Sequence, residues 1–134
     1  MRKIRVLIVD DSAVIRHVLS DILSHDPEIS VVGTAANGRI ALAIIPQLNP
    51  DLITLDVEMP EMDGLQTLVE IRKSYPRLPV ILFSTLTQKG AAKTLEALAL
   101  GASDYVTKPT NAGSVAAAMQ RVRDELIPKI KVFC

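Results

Sequence analysis

Four short apolar runs end in residues that could do chemistry. Asp10 and Asp11 follow the run Arg5-Val6-Leu7-Ile8-Val9, Asp56 closes Leu52-Ile53-Thr54-Leu55, Ser84 and Thr85 follow Val80-Ile81-Leu82-Phe83, and Lys108 follows Asp104-Tyr105-Val106-Thr107. Gathered at one place, these are three carboxylates, the Ser84 hydroxyl with that of Thr85 beside it, and an ammonium. Clustered carboxylates repel one another, and at neutral pH at least one keeps its proton unless positive charge compensates. A hard divalent cation compensates well. Mg2+ takes oxygen ligands in an octahedron, keeps several waters, and is held by one or two carboxylates plus a phosphate. Lys108 adds a charge that can neutralise a further anion. The set suits phosphoryl transfer, in which one carboxylate attacks phosphorus while cation, ammonium and hydroxyl stabilise the equatorial oxygens. Singly, each residue has a plainer reading. Asp10 and Asp11 suit a helix entrance, Asp56 a turn before Pro60, Lys108 a solvated surface, and Ser84 a structural role. Placement at the ends of four runs is what sets the plainer readings aside.

The elements that must position these residues alternate in type. The runs at 5–9 and 52–55 are apolar almost without a break, as strands buried on both faces of a parallel sheet read. Ser12 caps a first helix with Val14, Ile15, Val18, Leu19, Ile22 and Leu23 inward, broken at Asp26-Pro27. Residues 29–36 form a second strand. Asn37-Gly38 starts a second helix with Ile40, Ala41, Ile44 and Ile45 inward, stopped between Pro46 and Pro50. Asp63 and Gln66 form a capping box for a third helix to Tyr75. Pro79 opens a fourth strand ending at Ser84. A fourth helix over 90–100 is closed by Gly101 in a left-handed cap. A short strand at 104–107 precedes a last helix from Asn111 to about Ile127, with Val115, Met119, Val122 and Leu126 on one stripe. Residues 128–134 read as the start of an interdomain linker. Met59 and Met62 pack a loop, and Ala116-Ala117-Ala118 supplies helix propensity.

Five such units give an α/β, three-layer sandwich with a five-stranded parallel sheet and right-handed crossovers. Ligands of such sheets bind at the carboxyl ends of the strands, which is where the polar residues stand. The 134 residues fit one domain. Fifteen Lys+Arg balance fifteen Asp+Glu, so no polyanion-binding surface is indicated and no direct contact with nucleic acid is expected. Aromatics are 3% with no Trp, which argues against base stacking. Cys134 is the single cysteine, so internal disulfides and cysteine metal sites are excluded and a reducing, cytoplasmic setting is expected. No apolar run approaches the roughly 20 residues of a membrane span. The glycines never form G-x-G-x-x-G, which dismisses dinucleotide binding. His17 and His25 have no ligand partners nearby and read as surface residues.

Asp10-Asp11, Leu55-Asp56-Val57-Glu58-Met59-Pro60 with Asp63-Gly64, Ser84-Thr85 and Lys108-Pro109, in this order, resemble the receiver domain of two-component response regulators from residue 4 to about 126. The resemblance implies the flavodoxin-like receiver fold with strand order 2-1-3-4-5 and a receiver domain over 1–127. It implies that Asp56 accepts a phosphoryl group from a histidine kinase. Mg2+ would be bound by Asp11, Asp56 and the backbone carbonyl of Glu58, with Asp10 reaching it through water. Lys108 would pair with Asp56 and the phosphoryl group. Ser84 would donate to that group, and Tyr105 would swing inward as Ser84 moves. The Lys108-Pro109 bond is expected to be cis.

A narrower likeness lies in residues 55–64, 84–90, 97–109 and 124–131. These resemble the receiver of the chemotaxis protein-glutamate methylesterase. That implies an effector domain C-terminal to the chain as partner, no membrane insertion, and room for a phosphorylation-dependent dimer. Thr85 departs from the smaller residue common there and narrows access to the phosphoryl site. Two other readings compete. A Mg-dependent phosphohydrolase would need its second acid two residues beyond the nucleophile, where Glu58 stands. A receiver-like interaction module without phosphorylation would lack one of the acids or the lysine, and all are present.

Overall fold

The computed structural model describes residues 2–59, 62–85, 87–108 and 115–134. Strands and helices alternate: β1 (Ile4–Val9), α1 (Ala13–Ser24), β2 (Ile29–Ala35), α2 (Gly38–Leu48), β3 (Leu52–Asp56), α3 (Gly64–Ser74), β4 (Val80–Ser84), α4 (Gln88–Ala99), β5 (Asp104–Thr107) and α5 (Val115–Phe133). All pairings are parallel, in the order β2-β1-β3-β4-β5. This is the three-layer α/β sandwich of the receiver type.

Both faces of the sheet are covered. Val6, Ile8, Leu52, Ile81, Phe83 and Val106 pack with Leu19, Ile22 and Leu23 of α1 and Val122, Leu126 and Ile130 of α5. Leu7, Val9, Ile53, Leu55, Val80 and Leu82 pack with α2, α3 and α4 through Ala41, Ile45, Leu68, Ile71 and Ala97. Burial on two faces is why β1 and β3 are apolar at nearly every position.

Caps fix the helix starts next to the strand ends. Ser12 Oγ accepts from Ile15 N at 3.2 Å and Asn37 Oδ1 from Ile40 N at 2.9 Å. Asp63 and Gln66 make the expected reciprocal box, at 2.9 and 3.1 Å. Thr87 Oγ1 accepts from Gly90 N at 2.9 Å, so α4 starts at Gln88, ahead of the expected Gly90. Gly101, at φ 112°, follows α4 in a conformation that a side chain would disfavour.

α2 ends at Leu48, between Pro46 and Pro50 as expected, and is closed by Asn49 at φ 49°. Two expectations are corrected. Pro128 does not end α5, which continues to Phe133. Proline lacks the N–H that would donate four residues back. Pro46 and Pro128 both lie on exposed helix surface, where water can serve the orphaned carbonyl. Ile130 is fully buried and extends the stripe of Val122 and Leu126 by one more turn, which draws the chain past Pro128. Val14 and Ile40, expected inward, are 71% and 43% exposed; each sits at the edge of its helix stripe, in the first turn. The expected start of the last helix at 111–114 and the cis Lys108-Pro109 bond lie outside the described residues. Among the described residues no helix is long and apolar enough to cross a membrane.

Candidate functional site

Register assembles the acids. Val9 of β1 is paired with Leu55 of β3, so the next residues, Asp10 and Asp56, leave the sheet side by side. Ser84 is paired with Thr107 across β4 and β5, and Lys108 N donates to Ser84 O at 2.6 Å. One oxygen from each of Asp10, Asp11 and Asp56 lies within 4.8 Å of the others. Asp10 and Asp56 form the buried floor, 1% and 2% exposed, while Asp11 is exposed at the rim. Lys108 Nζ stands 3.1 Å from Asp56 Oδ1 and 3.3 Å from Asp10 Oδ2, and 5.7 Å from the centre of the Phe83 ring. The pairing with Asp10 had no signal in the sequence, because it depends on the register of β1 against β3.

Local bonds hold this floor in place. Ser12 N donates to Asp10 Oδ1 at 2.9 Å, and Arg16 Nη1 donates to the Asp10 carbonyl at 2.8 Å. Glu58 N donates to Asp56 Oδ1 at 3.2 Å. Gly64 N donates to Val57 O at 3.0 Å. A Cβ on Gly64 would lie 2.5 Å from the Asp56 carbonyl, so α3 can start this close to the strand end only with glycine there. Arg16 was missed by the sequence reading; its place one turn beyond the Ser12 cap is the signal that could have found it.

The charge balance is uneven. Burial, and after it the neighbouring Asp10 charge, pushes the Asp56 carboxyl up to about 7, with Lys108 pulling the other way. Burial also raises Asp10. Burial alone would lower Lys108, but Asp56 and Asp10 together carry it above its ordinary value. One ammonium therefore faces three carboxylates. Asp10 Oδ2 and Asp56 Oδ2 are buried without a hydrogen-bond partner, though Asp10 Oδ2 has its ionic contact with Lys108. Hard oxygen donors with lone pairs to spare and surplus negative charge fit a hard divalent cation. The Glu58 side chain stands outside the three-acid cluster.

Behind the acids, a cavity of about 280 Å3 opens between α4 and β5, bounded in part by Ser84, Thr94, Leu98, Tyr105 and Thr107. Ser84 is buried at its inner end, and Tyr105 is 44% exposed at the surface. Thr85 Oγ1 lies 3.0 Å from Thr87 Oγ1, tying the β4 end to the start of α4. Lys129 of α5 donates to the Tyr105 carbonyl at 2.6 Å. The sequence puts Lys129 in the expected linker, past the end of the last helix, and so gives no sign of its contact with Tyr105.

The model of the response regulator receiver domain family matches residues 6–120. The protein-glutamate methylesterase/protein-glutamine glutaminase of Trichodesmium erythraeum (strain IMS101) is 60% identical over the whole chain, which covers 38% of that protein. The enzyme of the same name from Pyrococcus abyssi (strain GE5 / Orsay) is 51% identical over 97% of the chain and 34% of its own length. The chain thus spans well under half the length of the curated relatives it matches. The response regulator domain of Thermotoga maritima CheB is similar in structure, with a TM-score of 0.85 and 46% identity, covering 98% of this chain and 96% of that one.

Proposed function

We propose, since the chain belongs to the response regulator receiver domain family, that Asp56 is its phosphoacceptor and that a histidine kinase is the donor. The observation that carries this reading is the pairing of a buried carboxylate, unpartnered at Oδ2, with the Lys108 ammonium 3.1 Å from its other oxygen. In the transfer, an Asp56 oxygen forms a bond to phosphorus as the P–N bond of the donor phosphohistidine breaks. The imidazole leaves with the electron pair and takes a proton from solvent. Lys108 neutralises charge on the phosphoryl oxygens, and Ser84 donates to one of them. Asp11, Asp56 and the Glu58 carbonyl, with Asp10 through water, would hold Mg2+, which supplies a Lewis acid at the equatorial oxygens.

The new dianion then biases a two-state element. Ser84 is drawn toward the phosphoryl group, and the Tyr105 ring enters the cavity that Ser84 borders. The face formed by α4, β5 and α5 changes with it. The domain is proposed to close with α5, whose Ile130 is still core, and the chain beyond Ile130 to begin, still helical, the connection to a C-terminal effector. Relatives that carry this chain's likeness in about a third of their length are named protein-glutamate methylesterases. A methylesterase effector, released when the receiver is phosphorylated in the cytoplasm, is the output this favours.

The test is labelling by radioactive acetyl phosphate with Mg2+. The unsubstituted chain is expected to take up base-labile label, and Asp56→Asn to take up less than about a hundredth as much. Equal labelling of the two would remove Asp56 from the role.

A further inference from the structure

We infer that Lys129 is a positioning residue for this switch: by lying on the outward Tyr105 ring it holds the resting state, so that the end of α5 opposes the inward swing. The inference rests on the phosphoacceptor reading above.

Three contacts converge on one ammonium. Lys129 Nζ donates to the Tyr105 carbonyl at 2.6 Å, stands 3.4 Å from Asp104 Oδ1, and lies 5.3 Å from the centre of the Tyr105 ring. β5 is the edge strand of the sheet, so its outer carbonyls have no strand to serve them. Ile130 roots the next position fully in the core, and Lys131 pairs with Asp26 and Glu28 at 3.1 and 3.5 Å. The backbone that carries Lys129 is therefore fixed. The carbonyl and Asp104 contacts survive a rotation of the tyrosine about its own bonds. The ring contact does not: it exists only while the ring is outside the cavity. An ammonium over an exposed ring thus stabilises the resting state alone, and its loss is expected to move the equilibrium about 2- to 5-fold.

The experiment uses the full chain with beryllofluoride and Mg2+ as the phosphoryl mimic. Tyr75 and Tyr105 are the only two tyrosines and there is no Trp, so a Tyr75→Phe background lets emission report Tyr105 alone. Lys129→Met and Lys129→Gln are expected to bind beryllofluoride about 2- to 5-fold more tightly and to shift Tyr105 emission toward the bound signal before it is added. Lys129→Arg, which keeps a cation on the ring, is expected to behave as the unsubstituted chain. In a Tyr105→Ala background the gain should vanish, which a general loosening of α5 would not produce. Unchanged affinity in both the Met and Gln variants, or a gain that persists without the Tyr105 ring, overturns the inference. If the unsubstituted chain binds beryllofluoride no better than Asp56→Asn, the phosphoacceptor reading itself falls and takes this role for Lys129 with it.

Discussion

Asp56 is the residue on which the chemistry and the cost of the site meet. It lies on the floor of the crevice, 2% exposed, and its carboxyl is held near 7 against an ordinary 3.8. Its charged form is disfavoured by folding. The penalty is absent below 3.8, grows as pH rises toward 7, and is complete above it. Lys108 offsets part of this but is shared with Asp10. Asparagine keeps the shape and removes the charge. Without divalent ions, Asp56→Asn is therefore expected to be more stable than the unsubstituted chain at pH 8, by about 2–4 kcal/mol, with the margin shrinking toward pH 5. Urea unfolding at the two pH values checks this. A margin that stays constant with pH would mean that the Asp56 charge is not what the fold disfavours. Under the proposed function, the Asp56 oxygen that burial leaves without a hydrogen-bond partner is the one open to phosphorus, which would give instability and reactivity one source.

At the scale of elements, period and capping chemistry carried most of the reading. The apolar runs of β1 and β3, the capping box of α3 and the Gly101 stop were legible because each is a local rule met by local residues. The acids at strand ends were legible for the same reason, once parallel strands put every carboxyl end on one side. What local rules miss is set by tertiary contact. Pro128 reads as a stop, yet α5 continues because Ile130 finds the core and Lys131 finds Asp26 and Glu28. Val14 and Ile40 read as inward by spacing, yet the sheet leaves their edge of the helix uncovered. The stripe Val122-Leu126-Ile130 was available in the sequence, and the proline outweighed it. The correction has a measurable consequence. If 128–134 were a loose connection, Ile130→Ala would change stability by less than about 0.5 kcal/mol, as surface changes do. Since Ile130 is fully buried, a loss of about 2–3 kcal/mol is expected in denaturant unfolding.

At the scale of the molecule, the site exists only when the sheet is assembled. Asp10 and Asp11 arrive from β1, Asp56 from β3 and Lys108 from beyond β5, and no two of these strands adjoin in sequence. A divalent ion held at the three acids would therefore bind the folded chain and not the unfolded one, and its binding would appear as stability. At a hundredfold excess over its dissociation constant the gain is about 2.7 kcal/mol. Protons compete for the same oxygens. Asp56 near 7 and Asp10 above its ordinary range must lose their protons before the ion can take their place. Mg2+ is thus expected to raise the urea midpoint clearly at pH 8 and much less at pH 5.5. Such an ion would also relieve the repulsion that destabilises the crevice, so its effect should be largest where the chain alone is weakest. Asp11, exposed at the rim, can be replaced without disturbing the core. Asp11→Asn should leave the fold intact and abolish most of the Mg2+-dependent gain. A gain that is the same at both pH values, or that survives Asp11→Asn, would place the ion somewhere other than these strand ends.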